Sequence, residues 1–268
     1  IFGFFKYWDT NKRALAKPQI REIKVLPHHR IGDITILAAI SGIIGARLFS
    51  IIESEENIKA FVKDPLDQLL SGSGLAIYGG LIVAFIAVYY YVYKKGMKPI
   101  YVMDAVAPAL IMGYAVGRLG CQFSGDGDWG IVNTAPPPSW WFLPDWAWAF
   151  NYPHNVLNDG VPIEGCVWDY CRQLGEAVYP TPLYETFFSL IIFTILWVLR
   201  KRFKVPGMIF FLYVLLNGIE RFFIEKIRTN PDIHLLGMSA TQAEYVAGLL
   251  IIIGTVGMIY LWIKRQRA

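Results

Sequence analysis

Arg118 is the residue of this 268-residue chain whose position most strongly indicates chemistry. It lies just beyond an apolar run, 105–116, that predicts a membrane helix. An arginine near hydrocarbon costs roughly 2.5–3.5 kcal/mol on insertion scales, so its presence predicts a functional site. Two carboxylates, Asp126 and Asp128, follow within one short glycine-rich loop. They could act as bases or orient the guanidinium, and the glycines let the backbone approach a ligand closely.

A second charged cluster occupies residues 217–228, at the end of another apolar run. Arg221, Glu225 and Arg228 are spaced by four and three residues, so on a helix they share one face. A helix-end ion pair between Arg221 and Glu225 is the alternative without function. We expect both arginine clusters at similar depth near one membrane face. Planar guanidinium groups suit phosphate there, and phospholipid headgroups supply it.

Two further motifs place polar groups at the starts of apolar runs. Tyr78 precedes the paired glycines Gly79 and Gly80, and its hydroxyl is expected at the same level, although an interfacial tyrosine is usually an anchor. Tyr184 and Glu185 follow two prolines. A carboxylate inside an apolar run needs a partner, for which an arginine of either cluster is the natural choice. Interaction with the helix dipole is the competing explanation.

The composition predicts that these residues lie in a membrane protein. Hydrophobic residues make up 55% of the chain and charged residues only 17%, against about 25% charge in a soluble domain. We predict an all-α polytopic membrane protein with six transmembrane helices, because six runs approach the ~20 residues that span a bilayer. The runs lie at about 33–53, 75–93, 100–117, 183–199, 206–224 and 243–263.

Residues 1–8 resemble the end of a seventh helix, and the chain begins with Ile1 rather than Met. We therefore expect an N-terminally truncated chain whose residues 1–268 form a single integral membrane domain. Its one large insertion is expected to be the extracytoplasmic loop 118–182.

The charges of the connecting loops predict one orientation. Lysine and arginine concentrate at 9–32, 94–98, 200–204 and 264–267, whereas the segment 118–182 contains only Arg118 and Arg172. The positive-inside rule places the basic loops and the C-terminus in the cytoplasm and segment 118–182 outside it. The net charge of +4 is thus a topology signal and does not indicate nucleic-acid binding.

The long outer loop has features of its own. Four tryptophans fall within 140–148, which suits a segment at the headgroup level or a folded cap that buries its own aromatic side chains. Cys166 and Cys171 could form a disulfide outside the cytoplasm. The three cysteines are not spaced as a zinc site, and the four histidines are scattered, so no metal site is predicted.

Taken in order, these motifs resemble those of the phosphatidylglycerol–prolipoprotein diacylglyceryl transferases. The most specific is Gly-Arg-Leu-Gly at 117–120 with its acidic glycine loop. The sequences at 78–82, 182–185 and 221–228 support it by order and spacing. The resemblance runs from about residue 30 to the C-terminus.

The resemblance implies a seven-helix enzyme of the bacterial inner membrane, with its active site facing the periplasm. It implies transfer of the diacylglyceryl group from phosphatidylglycerol to the lipobox cysteine thiol of a prolipoprotein. A thioether forms, glycerol phosphate leaves, and no metal or dissociable cofactor is expected. This reaction is the first step of lipoprotein maturation, so the implied partners are membrane lipid and the prolipoprotein lipobox segment.

The resemblance also implies roles for particular residues. Arg118 matches the signature arginine that binds the phosphatidylglycerol headgroup, and Arg221 matches the essential second arginine. Asp126 matches the acidic residue of the glycine loop, displaced by one position, and the pair Glu225 and Arg228 matches the charged helix end. The implied contacts to phosphatidylglycerol are completed by Arg228, Gly79, Gly80, Tyr184 and Glu185.

Three departures from the family pattern leave the thiol base open. The family commonly has histidine before the paired glycines, asparagine after Gly-Arg-Leu-Gly, and tyrosine four residues before the second arginine. This chain has Tyr78, Cys121 and Asn217 at those positions. The candidate bases are Asp126, Glu225 and Tyr78, and His154 of the outer loop could also compensate.

Two other classes of function would use the same arginines. An anion or lipid transporter predicts a basic pathway that reaches both membrane faces, whereas the charges at membrane depth lie near one face only. A scramblase-like or structural lipid-binding protein would bind phospholipid without turnover. Incubation with labelled phosphatidylglycerol and a lipobox peptide separates the enzyme from both.

Overall fold

A computed structural model describes residues 27–65, 76–230, 232–235 and 238–266 of the chain. The described residues are mostly helical. Their α-helices are α1 (Ile31–Glu53), α2 (Glu55–Lys63), α3 (Ile77–Lys94), α4 (Pro99–Ser124), α5 (Thr181–Leu199), α6 (Met208–Glu225) and α7 (Gln242–Gln266). Two short antiparallel pairs accompany them, β1 (Val161–Pro162) with β2 (Arg172–Gln173) and β3 (Asp232–Leu235) with β4 (Met238–Thr241).

Five helices of the described residues are long and apolar enough to cross a membrane, as expected of a polytopic membrane protein. They are Pro27–Glu53, α3, α4, α5 and α7. The run predicted at 206–224 is also helical, as α6, but three charged residues, Glu220, Arg221 and Glu225, interrupt its apolar character. The stub at 1–8 lies outside the described residues.

The predicted start of the outer loop at residue 118 falls inside helix α4. Helix α4 continues to Ser124, so Arg118 and Cys121 lie inside it. The helix ends where Gly125 adopts a left-handed conformation with φ of 61° and donates its backbone N–H to the Cys121 carbonyl. Glycine adopts this conformation without the steric cost of a Cβ atom, which is why it terminates the helix here.

The chain divides into two compact units, Ile1–Met97 and Lys98–Ala268. In the first unit, α1 packs closely against α3 through glycines. A Cβ atom on Gly79 would lie 2.7 Å from the Gly45 carbonyl oxygen, and one on Gly80 would lie 2.9 Å from the Gly42 carbonyl oxygen. Gly79 and Gly80 therefore allow close helix packing, and their predicted contact with substrate stays a prediction.

The second unit is built around α4, α5 and α6. Its buried core consists of Ala107, Ile111, Ile192, Leu196 and Ile209. At one end, the Asp104 carboxylate of α4 accepts backbone N–H groups of Gly207 at 2.6 Å and Phe210 at 2.8 Å. This contact satisfies free donors at the start of α6 and fixes it against α4.

The loop between α4 and α5 is a folded structure. Residues 130–133 and 177–179 pair in an extended conformation, and residue 131 also bonds to the backbone of residue 227 just after α6. Cys166 and Cys171 form a disulfide, which confirms the possible pairing. In the tryptophan-rich segment, Trp148 packs against Trp141 and Tyr179, whereas Trp140 is 69% exposed. The segment thus buries part of its aromatic surface and exposes the rest.

Candidate active site

Glu185 is the centre of an ion-pair cluster at the ends of α4, α5 and α6. It lies in the first two turns of α5 and is fully buried. Its Oε2 lies 2.6 Å from Arg118 Nε, and its Oε1 lies 3.1 Å from both Arg118 Nη2 and Arg228 Nη1. Arg221 Nη1 approaches Oε1 at 3.7 Å, and the Tyr114 hydroxyl donates to Oε2. The predicted pairing of Glu185 with an arginine is therefore confirmed, with three arginines in place of one.

All three guanidinium nitrogens of Arg118 lie close to carboxylate oxygens of the protein. Beyond its two contacts with Glu185, its Nη1 lies 2.5 Å from Asp128 Oδ2 and 3.5 Å from Cys121 Sγ. Its guanidinium carbon lies 5.9 Å from the centre of the Tyr114 ring, one helical turn away. The side chain is only 12% exposed. Arg118 thus links the glycine loop to the start of α5.

Asp128, and not Asp126, is the loop carboxylate that joins the cluster. It binds Arg118 and Arg228, and its backbone carbonyl accepts the Thr181 hydroxyl at 2.6 Å. Burial acts to raise the pKa of Asp128, but the charges of Arg228 and Arg118 outweigh it and hold the pKa below its usual value. Asp128 is therefore an anchor for the arginines.

The Asp128 ion pairs predict a pH-dependent contribution to stability. Because the pKa is lower in the folded protein than the usual value of about 3.9, the contribution is present above about pH 4. It is lost as the pH falls through the lowered value. We expect Asp128→Asn to reduce the free energy of unfolding at pH 7, and the difference from wild type to shrink below pH 4. Chemical unfolding in detergent between pH 3 and 7 measures it, and Asp126→Asn provides the exposed control. A difference that does not change with pH would contradict this role.

Arg221 is the most accessible arginine of the cluster. Its side chain is 23% exposed, against 8% for Arg228, and its Nη2 lies 3.2 Å from Glu225. The predicted pair between Arg221 and Glu225 is thus present. The Oε1 of Glu225 accepts hydrogen bonds from Asn230 Nδ2 at 2.6 Å and Thr241 Oγ1 at 2.8 Å, so Glu225 also fixes the segments that follow α6.

Of the three residues expected on one helical face, only Arg221 and Glu225 lie within helix α6. Helix α6 ends at Glu225, so Arg228 follows in a turn and does not continue the helix. Gly130 and Arg228 form a β-bridge, which directs Arg228 to the cluster from the side of the loop. Local spacing could not reveal this pairing, because the partners are far apart in the chain.

The other predicted site residues lie in different surroundings. Asp126 is exposed, and its Oδ1 accepts the Asp128 backbone N–H at 3.4 Å. The Tyr184 hydroxyl donates to the Trp148 carbonyl oxygen at 3.3 Å. Tyr78 belongs to the first unit, at the start of α3, and is 44% exposed. Its role as a base remains a prediction.

His154 packs with the disulfide hairpin. Its Nδ1 lies 2.7 Å from the Tyr170 carbonyl oxygen, and its ring centre lies 4.8 Å from that of Trp168. The contacts that the structure gives to His154 are thus contacts with the outer loop, and none of them is with the arginine cluster.

Two residues of this region, Tyr114 and Glu220, were not identified from the sequence. Tyr114 precedes Arg118 by four residues, a spacing that places both on one helical face and could have indicated the contact. Glu220 is a buried carboxylate in α6, and neither of its oxygens has a hydrogen-bond partner among the described residues. An acidic residue within an apolar run was the available signal.

One group of side chains has the composition of a cation site. Ligand atoms of Cys121, Asp126 and Asp128 lie within 4.8 Å of one another. Both oxygens of Asp128 already bind arginines, however, and Arg118 is in contact with the cysteine sulfur. The positive charge at this place is therefore supplied by guanidinium groups.

The charges of the described side chains that are in direct ion contact balance. Three guanidiniums, of Arg118, Arg221 and Arg228, contact three carboxylates, of Asp128, Glu185 and Glu225. An incoming anion must therefore take an arginine from a carboxylate. The longest contacts and the most exposed side chain make Arg221 the easiest to recruit.

The chain is similar to proteins named as bacterial transferases. A family model described as prolipoprotein diacylglyceryl transferase matches residues 1–260. A Corynebacterium diphtheriae protein named phosphatidylglycerol–prolipoprotein diacylglyceryl transferase is 32% identical over 229 residues, which cover 83% of this chain and 75% of that protein. Proteins of the same name from Corynebacterium glutamicum and Clostridium botulinum are 30% and 32% identical, and cover 91% and 87% of this chain and 73% and 80% of their own lengths.

Proposed function

The chain belongs to the prolipoprotein diacylglyceryl transferase family, and from this premise we propose the reaction that it catalyses. The enzyme transfers the diacylglyceryl group of phosphatidylglycerol to the lipobox cysteine thiol of a prolipoprotein. The names of its relatives, which are transferases, support both substrates. The cysteine sulfur forms a bond to the glycerol carbon, the bond from that carbon to the phosphate oxygen breaks, and glycerol phosphate leaves.

The cluster around Glu185 is the observation that carries the proposal. The phosphate has one negative charge in phosphatidylglycerol and gains a second as it leaves, so the transition state needs positive charge beside it. Arg221 binds the phosphate, since it is the most accessible arginine. Arg118 and Arg228 are held on Glu185 and Asp128 and keep fixed positions beside Arg221.

The thiol proton goes to a carboxylate that is not already bound by arginines. Asp128, Glu185 and Glu225 are all engaged in ion pairs. Asp126 is exposed and lies beside Cys121 of α4 and Asp128 of the loop. We assign it as the base, with Tyr78 as the alternative. The proton then passes from Asp126 to water.

We place the enzyme in the bacterial inner membrane as a multi-pass protein with its C-terminus in the cytoplasm. The positive-inside rule supports this orientation, because the basic residues concentrate at 200–204 and 264–267. Contacts between the end of α4 and the start of α5 support one shared membrane face for the cluster. The loop that follows α4 then faces the periplasm and covers the site.

The deciding experiment is a transfer assay with the purified protein. Labelled phosphatidylglycerol and a synthetic lipobox peptide are supplied in detergent or vesicles, and the peptide product is identified by mass. We expect a thioether-linked diacylglyceryl peptide and released glycerol phosphate. Lipid movement or binding without a peptide product would favour the transporter or the lipid-binding protein and overturn the proposal.

Arg118→Ala is expected to abolish measurable transfer while the protein remains in the membrane. The change removes the ion contacts of Arg118 with Glu185 and Asp128, and Arg228 is then the arginine that contacts both carboxylates. Transfer by membranes that contain equal amounts of each variant measures the effect. Arg202→Ala, an exposed arginine beyond the end of α5, is the control. Near-normal lipidation by Arg118→Ala would defeat this assignment.

A further inference from the structure

A groove of about 370 Å³ lies in the outer loop. Its walls are mainly apolar and are formed by Trp129, Val132, Leu174 and Val178. Glu176 is the charged side chain of its lining, and it is exposed. The volume is within the roughly 300–1,000 Å³ of ligand-binding pockets.

The groove adjoins the arginine cluster. Trp129 directly follows Asp128, which binds Arg118 and Arg228. Thr229, which lines the groove from the other side, directly follows Arg228. A molecule in the groove would therefore contact the residues that directly follow Asp128 and Arg228 in the chain.

The walls of the groove are held by backbone hydrogen bonds. Gly130 N–H donates to the Tyr179 carbonyl at 2.9 Å, and Asn133 N–H donates to the Ala177 carbonyl at 2.8 Å. Val132 faces the groove between these two bonds and is 49% exposed, whereas Val178 opposite is 5% exposed. A prearranged wall reduces the entropy that is lost when an extended ligand binds.

We propose that this groove binds the segment of the acceptor polypeptide that carries the reactive cysteine, an inference that rests on the proposed function. The transfer needs two substrates, and the arginines that bind the lipid phosphate do not line the groove. The lining residues lie outside the five apolar helices, so the groove is on the water side of the site and suits a peptide better than acyl chains. Its apolar walls favour apolar residues next to the cysteine. Glu176 favours a cationic residue near them.

Filling the groove tests the proposal. We expect Val132→Trp to raise KM for a lipobox peptide at least tenfold while KM for phosphatidylglycerol stays within twofold. Val167→Trp, at a position that is 91% exposed near the disulfide, adds the same bulk outside the groove and should leave both values unchanged. A peptide KM for Val132→Trp within twofold of wild type would overturn the proposal.

A second measurement uses the unaltered protein, so it does not depend on the folding of a variant. A peptide with a photoreactive apolar residue beside a serine in place of the cysteine is irradiated with the enzyme, and the attachment site is mapped by mass spectrometry. Attachment at residues 129–132 or 174–178 supports the groove, and attachment only elsewhere overturns it. If the wild-type enzyme forms no product in the transfer assay, the proposed function fails, and the crosslink still reports separately on peptide binding.

Discussion

Glu185→Gln is expected to lower transfer by about 100-fold or more and to destabilise the protein. Glutamine has nearly the same shape but no charge, so Arg118 and Arg228 lose the buried carboxylate between them. Loss of one partner of a buried ion pair typically costs about 3–5 kcal/mol. Displacement of catalytic groups by about 1 Å can cost about 100-fold in rate. Thermal unfolding in detergent and the transfer assay measure the two effects.

Two comparisons make the Glu185 prediction specific. Glu164→Gln changes an exposed glutamate of the outer loop and should alter stability by less than about 0.5 kcal/mol. Glu185→Asp keeps the charge but shortens the side chain, so it should recover part of the stability and little of the rate. A Glu185→Gln variant with wild-type stability and activity would show that Glu185 does not organise the arginines.

The sequence predicted the helices and the residues that converge far better than it predicted the contacts between them. Apolar runs marked each long helix, because a helix in a bilayer must be apolar over most of its length. Arg118 and Glu185 were expected to pair because each is costly near hydrocarbon without a partner. Both inferences rest on the cost of placing charge in an apolar environment. Apolar runs and the charged residues within them can be recognised from the local sequence.

The details of the cluster depend on contacts between distant parts of the chain. Asp128, and not Asp126, reaches Arg228, a residue 100 positions further along, because the Gly125 turn directs the loop towards the end of α6. No local spacing distinguishes these two carboxylates. The groove is likewise formed by three separate segments, which only the fold brings together. Gly79 and Gly80 were predicted as substrate contacts, and the structure shows in addition that they let α3 pack closely against α1.

Arg221→Lys is expected to reduce kcat/KM for transfer by about 100- to 1,000-fold with little loss of stability. Lysine keeps the positive charge but cannot bind two phosphate oxygens through a planar fork. Removal of one donor to a developing oxyanion typically costs a factor of this size. The fold should tolerate the change, because the Arg221 side chain is 23% exposed and its ion contacts, at 3.2 and 3.7 Å, are the longest in the cluster. Kinetics with labelled phosphatidylglycerol and thermal unfolding of the same preparations test both parts.

The comparison of Arg221→Lys with Arg118→Lys decides which arginine binds the phosphate. Arg118 contacts Glu185 and Asp128 through three nitrogens, so its lysine variant should lose stability together with activity. Arg221→Lys should lose activity alone, and Arg172→Lys, in the exposed part of the loop, should lose neither. If Arg221→Lys stays within threefold of wild type while Arg118→Lys is inactive but fully stable, Arg118 binds the headgroup directly. Arg221 would then only neutralise Glu225.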